Sequence, residues 1–180
     1  MAYQNKHDKD GKCAEVGQRA EDKFRELAEA KGYEVEVCGR EMQFNHVDFI
    51  LRKGKKTWKI DIKGAKKLSR QHENPCFEHL WIEMKNCRGK DGWILGMATS
   101  IAFELADEFI IVDRKELLRL VEKLCDLKKM VAQSKKALYC GYKRFKRQDL
   151  LTLIKTDDLK QIKHSIWPKT IKPTKNIMTP

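Results

Sequence analysis

The feature that most constrains the fold of this chain is the stretch over residues 46–63, HVDFILRKGKKTWKIDIK. Apolar and polar residues alternate in two runs, 47–52 with the exception of Ile50 and 58–63 throughout, and such alternation is typical of β-strands. The runs are joined by RKGKK, in which Gly54 has the conformational freedom that a tight turn needs. The stretch therefore predicts a β-hairpin.

The predicted hairpin carries charged side chains at positions that need an explanation. Asp48 lies in the first run, and Asp61 and Lys63 lie two residues apart in the second. Residues two apart on a strand project from the same face, so the three side chains can converge at one end of the hairpin. A buried carboxylate must be paired or must bind a metal. Two carboxylates can hold a hard divalent cation, which activates water and stabilises charge on a phosphate.

The pattern Val47-Asp48 followed by Asp61-Ile62-Lys63 resembles the motif of the PD-(D/E)XK nuclease superfamily, with valine in place of the proline. The run GQRAEDKF at 17–24 resembles the opening helix of the Holliday-junction-resolvase-like members. The resemblance covers residues 13 to about 131. It implies an α/β fold with a restriction-endonuclease-like core, α-β-β-β-α-β, in which helices flank a mixed central sheet and a basic C-terminal extension follows.

The resemblance also implies a function. The chain is expected to be a Mg²⁺- or Mn²⁺-dependent DNA endonuclease that hydrolyses phosphodiester bonds, with branched or structured DNA as substrate and a homodimer as the active form. The expected metal ligands are Glu21, Asp48, Asp61 and the Ile62 carbonyl. Lys63 is expected to position the attacking water or help deprotonate it. Glu15 is the lesser candidate for the carboxylate on the first helix.

Two alternatives to this DNA endonuclease stay open, and a second motif competes for the site. A non-catalytic nucleic-acid-binding module would use the same charged residues as an ion-pair network, and an RNA-cleaving enzyme would use the same site. The rival motif is Glu83-Met84-Lys85, a second E-x-K on a predicted strand. It ranks below the hairpin because no aspartate precedes it at short range on a hairpin partner.

The net charge of +12 is unevenly distributed and indicates a polyanionic partner. Residues 1–113 hold 20 basic and 20 acidic side chains, whereas residues 114–180 hold 18 and 6. Aromatic residues interrupt a basic run in the second part (YCGYKRFKR), a mixture that suits phosphate neutralisation and base stacking. The alternative is an ordinary solvated surface. The predicted nucleic-acid contacts are Lys66, Lys67, Arg70, Lys143, Arg144, Lys146 and Arg147.

The six cysteines form no CxxC pair, so a zinc ribbon is poorly supported. A weaker possibility is zinc bound by Cys76 and Cys87 with His72 and His79. The N-terminus lacks the apolar segment of a signal peptide, and no apolar run has the length of a membrane span. Reduced thiols and a cytoplasmic location are therefore expected.

The length of 180 residues predicts a single main domain with a hydrophobic core. Residues 1–12 are expected to form a disordered tail, 13–167 the nuclease domain with 132–167 as its basic extension, and 168–180 a flexible basic tail. An amphipathic helix is predicted from near Arg114, continuing as far as Val131. The segment 97–106 permits either a helix or a strand.

Overall fold

The computed structural model describes residues 12–69 and 72–170, with side chains from residue 15 onward. Within these residues the chain is a mixed α/β protein with two mixed sheets and few helices. None of the described helices is long and apolar enough to span a membrane. Of the tails expected at 1–12 and 168–180, residues 1–11 and 171–180 lie outside the described residues, as does the predicted contact residue Arg70.

The larger sheet has six strands in the order β1-β2-β3-β5-β6-β10. The pair β3–β5 is parallel and the other neighbours are antiparallel. The bounds of these strands are β1 Glu34–Val37, β2 Phe49–Lys53, β3 Lys56–Lys63, β5 Ser100–Glu104, β6 Glu108–Asp113 and β10 His164–Pro168.

The smaller sheet has four strands in the order β4-β9-β8-β7, and only β7–β8 is parallel. The bounds of these strands are β4 His79–Lys85, β7 Asp126–Val131, β8 Cys140–Tyr142 and β9 Leu150–Lys155. The α-helices are α1 Lys12–Ala30, α2 Arg40–Phe44 and α3 Arg114–Leu124.

Two apolar clusters show how these layers pack. Helix α1 buries Ala20, Phe24, Leu27 and Ala28, which recur at helical spacing, against one face of the larger sheet. The other cluster joins the larger sheet to α3 and to the smaller sheet, with Ile101, Leu117 and Ile154 among its fully buried members. The larger sheet is therefore covered on both faces.

The predicted hairpin is confirmed. Strands β2 and β3 pair antiparallel from Phe49↔Ile60 to Lys53↔Lys56, and Gly54 has φ +59° in the turn between them. Ile60 and Ile62 belong to the α1 cluster, so Asp61 and Lys63 project from the opposite face of β3, toward the smaller sheet.

The connection from β3 to β5 differs from the expected core. No α-helix lies between these strands in the described residues, and the chain there forms β4 and a 3₁₀ turn over Trp93–Leu95. Parallel neighbours need a crossover connection, and here it passes through the smaller sheet. The helix expected between the third and fourth core strands is therefore not found, and the open segment 97–106 contains strand β5.

Two predicted boundaries are also corrected. Helix α3 ends at Leu124 rather than near Val131, because the Asp126 carboxylate accepts the N–H groups of Lys128 and Lys129 and residues 126–131 join the smaller sheet. At the C-terminus, Pro168 belongs to β10 and Lys169 donates its N–H to the Asp107 carbonyl, so the structured chain continues past 167.

Candidate active site

The register of the hairpin places Asp48 beside Asp61. Because Phe49 pairs with Ile60, the residues one step further along are Asp48 and Asp61. The Asp48 N–H donates to the Ile60 carbonyl at 2.8 Å, and the Asp48 carboxylate accepts the Ile62 N–H through Oδ2 at 2.7 Å. The backbone of β3 therefore holds the Asp48 side chain at the end of the hairpin.

Asp61 and Lys63 form an ion pair on the same face of β3. The Lys63 Nζ donates to Asp61 Oδ1 at 2.6 Å and lies 5.2 Å from the centroid of the Trp93 ring. The side chain of Asp61 is only 2 % exposed, and that of Lys63 is 17 % exposed. The ammonium group therefore neutralises one side of a buried carboxylate.

The second oxygen of Asp61 is buried and has no hydrogen-bond partner within the described structure. Burial raises the pKa of Asp61 to about 7, opposed by Lys63 and reinforced by the charge of Asp48 and by a hydrogen bond between the two carboxyl groups, which they cannot make when both are ionised. An unpaired buried carboxylate oxygen is costly unless it is protonated or binds a cation. Asp61 Oδ2 is therefore the atom at this site that most needs a ligand.

Helix α1 places Glu21 near Asp48 and Lys63. Gly64, which directly follows β3, permits this approach because a Cβ there would lie 3.3 Å from the Ala20 Cβ. Burial, Asp48 and neighbouring Asp22 raise the pKa of Glu21 to about 7, opposed by Lys63. Of the two glutamates weighed on this helix, Glu21 is thus the one at the site, whereas Glu15 is exposed.

We refer to Glu21, Asp48 and Asp61 as the acidic cluster. Together with Lys63 it carries a net charge of −2 when every group is ionised. Among the described residues, however, no three Asp, Glu, His or Cys side chains are arranged as a group that could hold a metal ion. The oxygen donors suit a hard divalent cation chemically, and the pKa values of Glu21 and Asp61 are raised chiefly by their burial.

The smaller sheet contributes charged residues to the same region. Burial raises the pKa of Glu83, and the cations that counteract this rise are Lys66, Lys63 and Arg144. Desolvation of its ammonium group and the nearby charge of Lys63 lower the pKa of Lys66, although the residue as a whole is exposed. The rival motif residue Glu83 therefore borders the hairpin site instead of forming a separate one.

His46 is a site residue that the sequence analysis did not identify. Its backbone is left-handed, with φ +59°, an uncommon conformation for a residue other than glycine. Burial and the nearby Lys63 lower the pKa of its imidazole, while Asp48 acts in the opposite direction. The available signal was its position two residues before Asp48, at the entry to the hairpin.

The predicted nucleic-acid contacts have different positions in the structure. Lys66 and Lys67 are exposed in the segment that leaves β3, and the Lys67 carbonyl accepts the Trp81 indole N–H. Lys143, Arg144 and Lys146 are exposed, and Arg147 is half-buried, in the loop between β8 and β9. Of these, Arg144 comes close enough to Glu83 and Lys66 to influence their pKa values.

The zinc alternative finds little support among the described residues. Cys76 Sγ lies 3.6 Å from His79 Nδ1, whereas His72 instead pairs with Ser69. No third ligand completes a group in the part of the chain that the structure describes. Cys38, Cys76, Cys87, Cys125 and Cys140 are free thiols.

Comparisons of the chain with family models, with curated proteins and with solved structures find no significant match. The case for a function therefore depends on the residues and their arrangement.

Proposed function

We propose that this protein is a metal-dependent DNA endonuclease that hydrolyses phosphodiester bonds. The observation that carries the proposal is the buried Asp61 carboxylate, whose Oδ1 is paired with Lys63 and whose Oδ2 has no partner among the described residues. A buried aspartate in this state suits a site that gains a cation when it works.

The expected ligands are the carboxylates of Glu21, Asp48 and Asp61, and the Ile62 carbonyl stays a prediction. A divalent cation would neutralise the net charge of −2 that these carboxylates and Lys63 carry together. When bound, Mg²⁺ or Mn²⁺ would supply positive charge that activates water and stabilises the phosphate in the transition state.

Lys63 is suited to position the attacking water or the scissile phosphate rather than to act as the base. Its Nζ donates to Asp61 Oδ1 at 2.6 Å, so the group already serves as a hydrogen-bond donor at this site. A charged lysine can donate hydrogen bonds to a water or to a phosphate oxygen but cannot accept a proton. The π face of Trp93 further restrains the group from one side.

The same proposal includes a restriction-endonuclease-like core. Its supporting features are the order α1, β1, β2 and β3, the packing of α1 across the sheet, and the parallel strand β5 beside β3. In this interpretation β5 takes the place of the fourth core strand, and the segment containing β4 replaces the second core helix.

DNA is the proposed substrate because exposed cations lie beside the acidic cluster, with Lys66 near Lys63 and Asp61. Lys66 and Arg144 lie near Glu83 and Lys63, where they could bind the phosphates on either side of the scissile bond. Recognition through backbone and shape suits a branched or structured DNA, and a homodimer would present two such sites.

A second candidate is a nucleic-acid-binding module without catalysis. The Asp61–Lys63 ion pair and the absence of a preassembled metal group among the described residues favour it. Against it, a phosphate-binding surface gains nothing from an acidic cluster in which the pKa values of Glu21 and Asp61 are raised, or from an unpaired buried oxygen.

The test is a cleavage assay on the purified protein. Four-way junction, plain duplex, single-stranded DNA and a matched RNA would each be incubated with Mg²⁺, Mn²⁺ or EDTA. The Asp61→Asn variant is compared with Asp22→Asn, which removes a carboxylate that bonds Gln18 on α1 instead of joining the acidic cluster.

We expect the wild-type protein to cut DNA only in the presence of a divalent metal. The Asp61→Asn variant should not cut, and the Asp22→Asn variant should cut as the wild type does. Cutting by Asp61→Asn at the wild-type rate would overturn the assigned site. Tight binding without cutting under every metal would establish the binding module, and preferential cutting of RNA would replace the DNA substrate.

A further inference from the structure

Phe145 is 86 % exposed, more than any other large apolar side chain in the described part of the chain. It lies in the turn of residues 143–148, which we call the basic loop, between β8 and β9. Leaving an aromatic ring of this size in water forgoes the free energy of burying it. A ring displayed in this way calls for an explanation.

The basic loop is anchored at its base and does not simply lack contacts. The Arg144 N–H donates to Asp149 Oδ1 at 2.9 Å, and its Nε donates to Oδ2 of the same buried carboxylate. The Arg147 N–H donates to the Arg144 carbonyl at 3.0 Å, and the Gln148 N–H donates to the Cys87 carbonyl. The ring therefore projects from a loop that is held on both sides.

The other aromatic residues of this segment are committed to the fold. Tyr139 donates its hydroxyl to Asp158 Oδ2 at 2.7 Å, and the Tyr142 ring lies 5.7 Å from that of Trp81. Of the three aromatic rings in this segment, only that of Phe145 is therefore exposed enough to stack on a partner.

The cations around Phe145 indicate the chemistry of that partner. Lys143, Arg144, Lys146 and Arg147 place four positive charges within five residues, and Asp149 compensates one of them. The Lys146 Nζ lies 5.3 Å from the centroid of the Phe145 ring. A partner that combines anionic groups with a planar apolar surface matches both features, and an unstacked nucleotide has both.

The basic loop also borders the candidate active site. Arg144 at its base is near Glu83, and Glu83 is in turn near Lys63. A nucleic acid whose phosphates lie along Lys66 and Arg144 would therefore pass beside the exposed ring.

We propose that Phe145 stacks on an unpaired base of DNA and so gives the protein a preference for DNA in which the helix is interrupted. This inference rests on the proposed function, because it specifies the substrate of that site. Stacking on the ring holds the open side of a branch, bubble or flap while the cations of the basic loop hold the adjacent phosphates.

The test measures binding of the full-length chain in EDTA, so that no cleavage is needed. Affinity is measured by fluorescence anisotropy for a duplex with a three-base bubble and for the same duplex fully paired. A 2-aminopurine in the bubble reports stacking by the quenching of its emission. The variants are Phe145→Ala and Phe145→Trp, with Ile166→Ala as the control because it removes an exposed apolar side chain on the edge strand β10.

We expect Phe145→Ala to lose affinity for the bubble by about five- to a hundredfold, with little change on the paired duplex and with the quenching abolished. Phe145→Trp should retain both properties, and Ile166→Ala should behave as the wild type. Equal loss on both DNAs, or unchanged affinity for the bubble, would overturn the inference.

These outcomes are distinguishable from failure of the proposed function. If the wild type cuts no DNA and Phe145→Ala weakens binding to the bubble, the stacking role is supported and the nuclease function is rejected. If the wild type cuts DNA and Phe145→Ala binds the bubble as the wild type does, the nuclease function is supported and the stacking role is rejected.

Discussion

Lys63 Nζ lies 2.6 Å from Asp61 Oδ1, whereas Oδ2 of the same buried carboxylate has no partner within the described structure. The pair is thus half satisfied, with one charge-assisted hydrogen bond where a buried carboxylate has capacity for several. Its remaining capacity lies toward Asp48, which adds negative charge. This relationship makes the site sensitive to the loss of either partner, to pH and to cations.

Removing the lysine should destabilise the protein in a way that depends on pH. Lys63→Met leaves Asp61 buried without its counter-ion, and breaking a buried pair from one side costs about 3 kcal/mol. The loss should be largest at pH 8 and smaller at pH 5, where Asp61 accepts a proton instead. Urea unfolding at both pH values measures it, with the exposed Lys56→Met on the same strand as the control. Equal stability of wild type and Lys63→Met at pH 8 would contradict the prediction.

In EDTA, the wild-type protein should lose stability as the pH rises from 5 to 8. The pKa values of Asp61 and Glu21 are both raised to about 7 in the folded state, so between pH 4 and 7 the folded state binds more protons than the unfolded state. Stability therefore falls with rising pH, by on the order of a few kcal/mol.

The comparison for this pH effect is Asp61→Asn, which cannot titrate. Its unfolding free energy should change less between pH 5 and 8 than that of the wild type, as measured by urea unfolding in EDTA. A wild-type slope that is flat, or that Asp61→Asn leaves unaltered, would show that the carboxylate does not titrate in this range.

The two glutamates of α1 should differ sharply in their effect on cleavage. Glu21→Gln removes a carboxylate beside Asp48 and should lower the cleavage rate by at least about a hundredfold, since even indirect supports of a metal site are worth 10- to 100-fold. Glu15→Gln changes an exposed residue of the same helix and should cut at the wild-type rate. Single-turnover assays at saturating Mg²⁺ make the comparison, and equal rates for the two variants would remove Glu21 from the site.

The basic loop should account for part of the salt dependence of DNA binding. Replacing the exposed Lys143 and Lys146 by glutamine should lower the slope of log K against log[salt] by about two, because each phosphate contact contributes about one and neither lysine belongs to the Arg144–Asp149 pair. The matched control is Arg119→Gln with Lys123→Gln, which removes the same charge from exposed positions on α3. An unchanged slope would show that the loop is an ordinary solvated surface that does not contact DNA phosphates.

The C-terminal boundary of the folded chain can be tested by truncation. Lys169 Nζ binds Glu104 Oε1 at 3.0 Å and the Leu105 and Ala106 carbonyls, while Glu104 Oε2 accepts the Ala65 N–H. A chain that ends after Trp167 should therefore melt several degrees below a chain that ends after Thr170, since about 1 kcal/mol shifts the melting temperature by a few degrees at this size. Thermal unfolding measures both, and equal melting temperatures would contradict the role of Lys169.

The sequence was most informative where structure is determined locally. The hairpin of β2 and β3 followed from alternation and one turn glycine, and its register then placed Asp48 beside Asp61. Glu21 was preferred to Glu15 because the run at 17–24 resembles the opening helix of the resolvase-like members, and its neighbour Ala20 is indeed buried against the sheet. In both cases the relevant partners lie within one element or within one hairpin.

Pairing between distant segments was not predictable from local pattern. Glu83 ranked below the hairpin because no aspartate precedes it at short range on a hairpin partner, yet β4 pairs with β9 and thereby comes close to Arg144. The spacing of Leu124, Leu127 and Val131 allowed a longer helix, and the pairing of β7 with β8 decided against it. The composition after Trp167 gave no sign that Glu104 binds Lys169.

The residues proposed for catalysis and the loop proposed to stack on a DNA base belong to different sheets. The acidic cluster and Lys63 depend on α1 and the hairpin, whereas the basic loop extends from β8 and β9 of the smaller sheet. Substitutions or changes of length in the loop can therefore accumulate without moving the carboxylates. During evolution, the preference for a DNA structure would therefore change more readily than the residues that hydrolyse the phosphodiester bond. Close relatives would then catalyse the same reaction on different DNA structures.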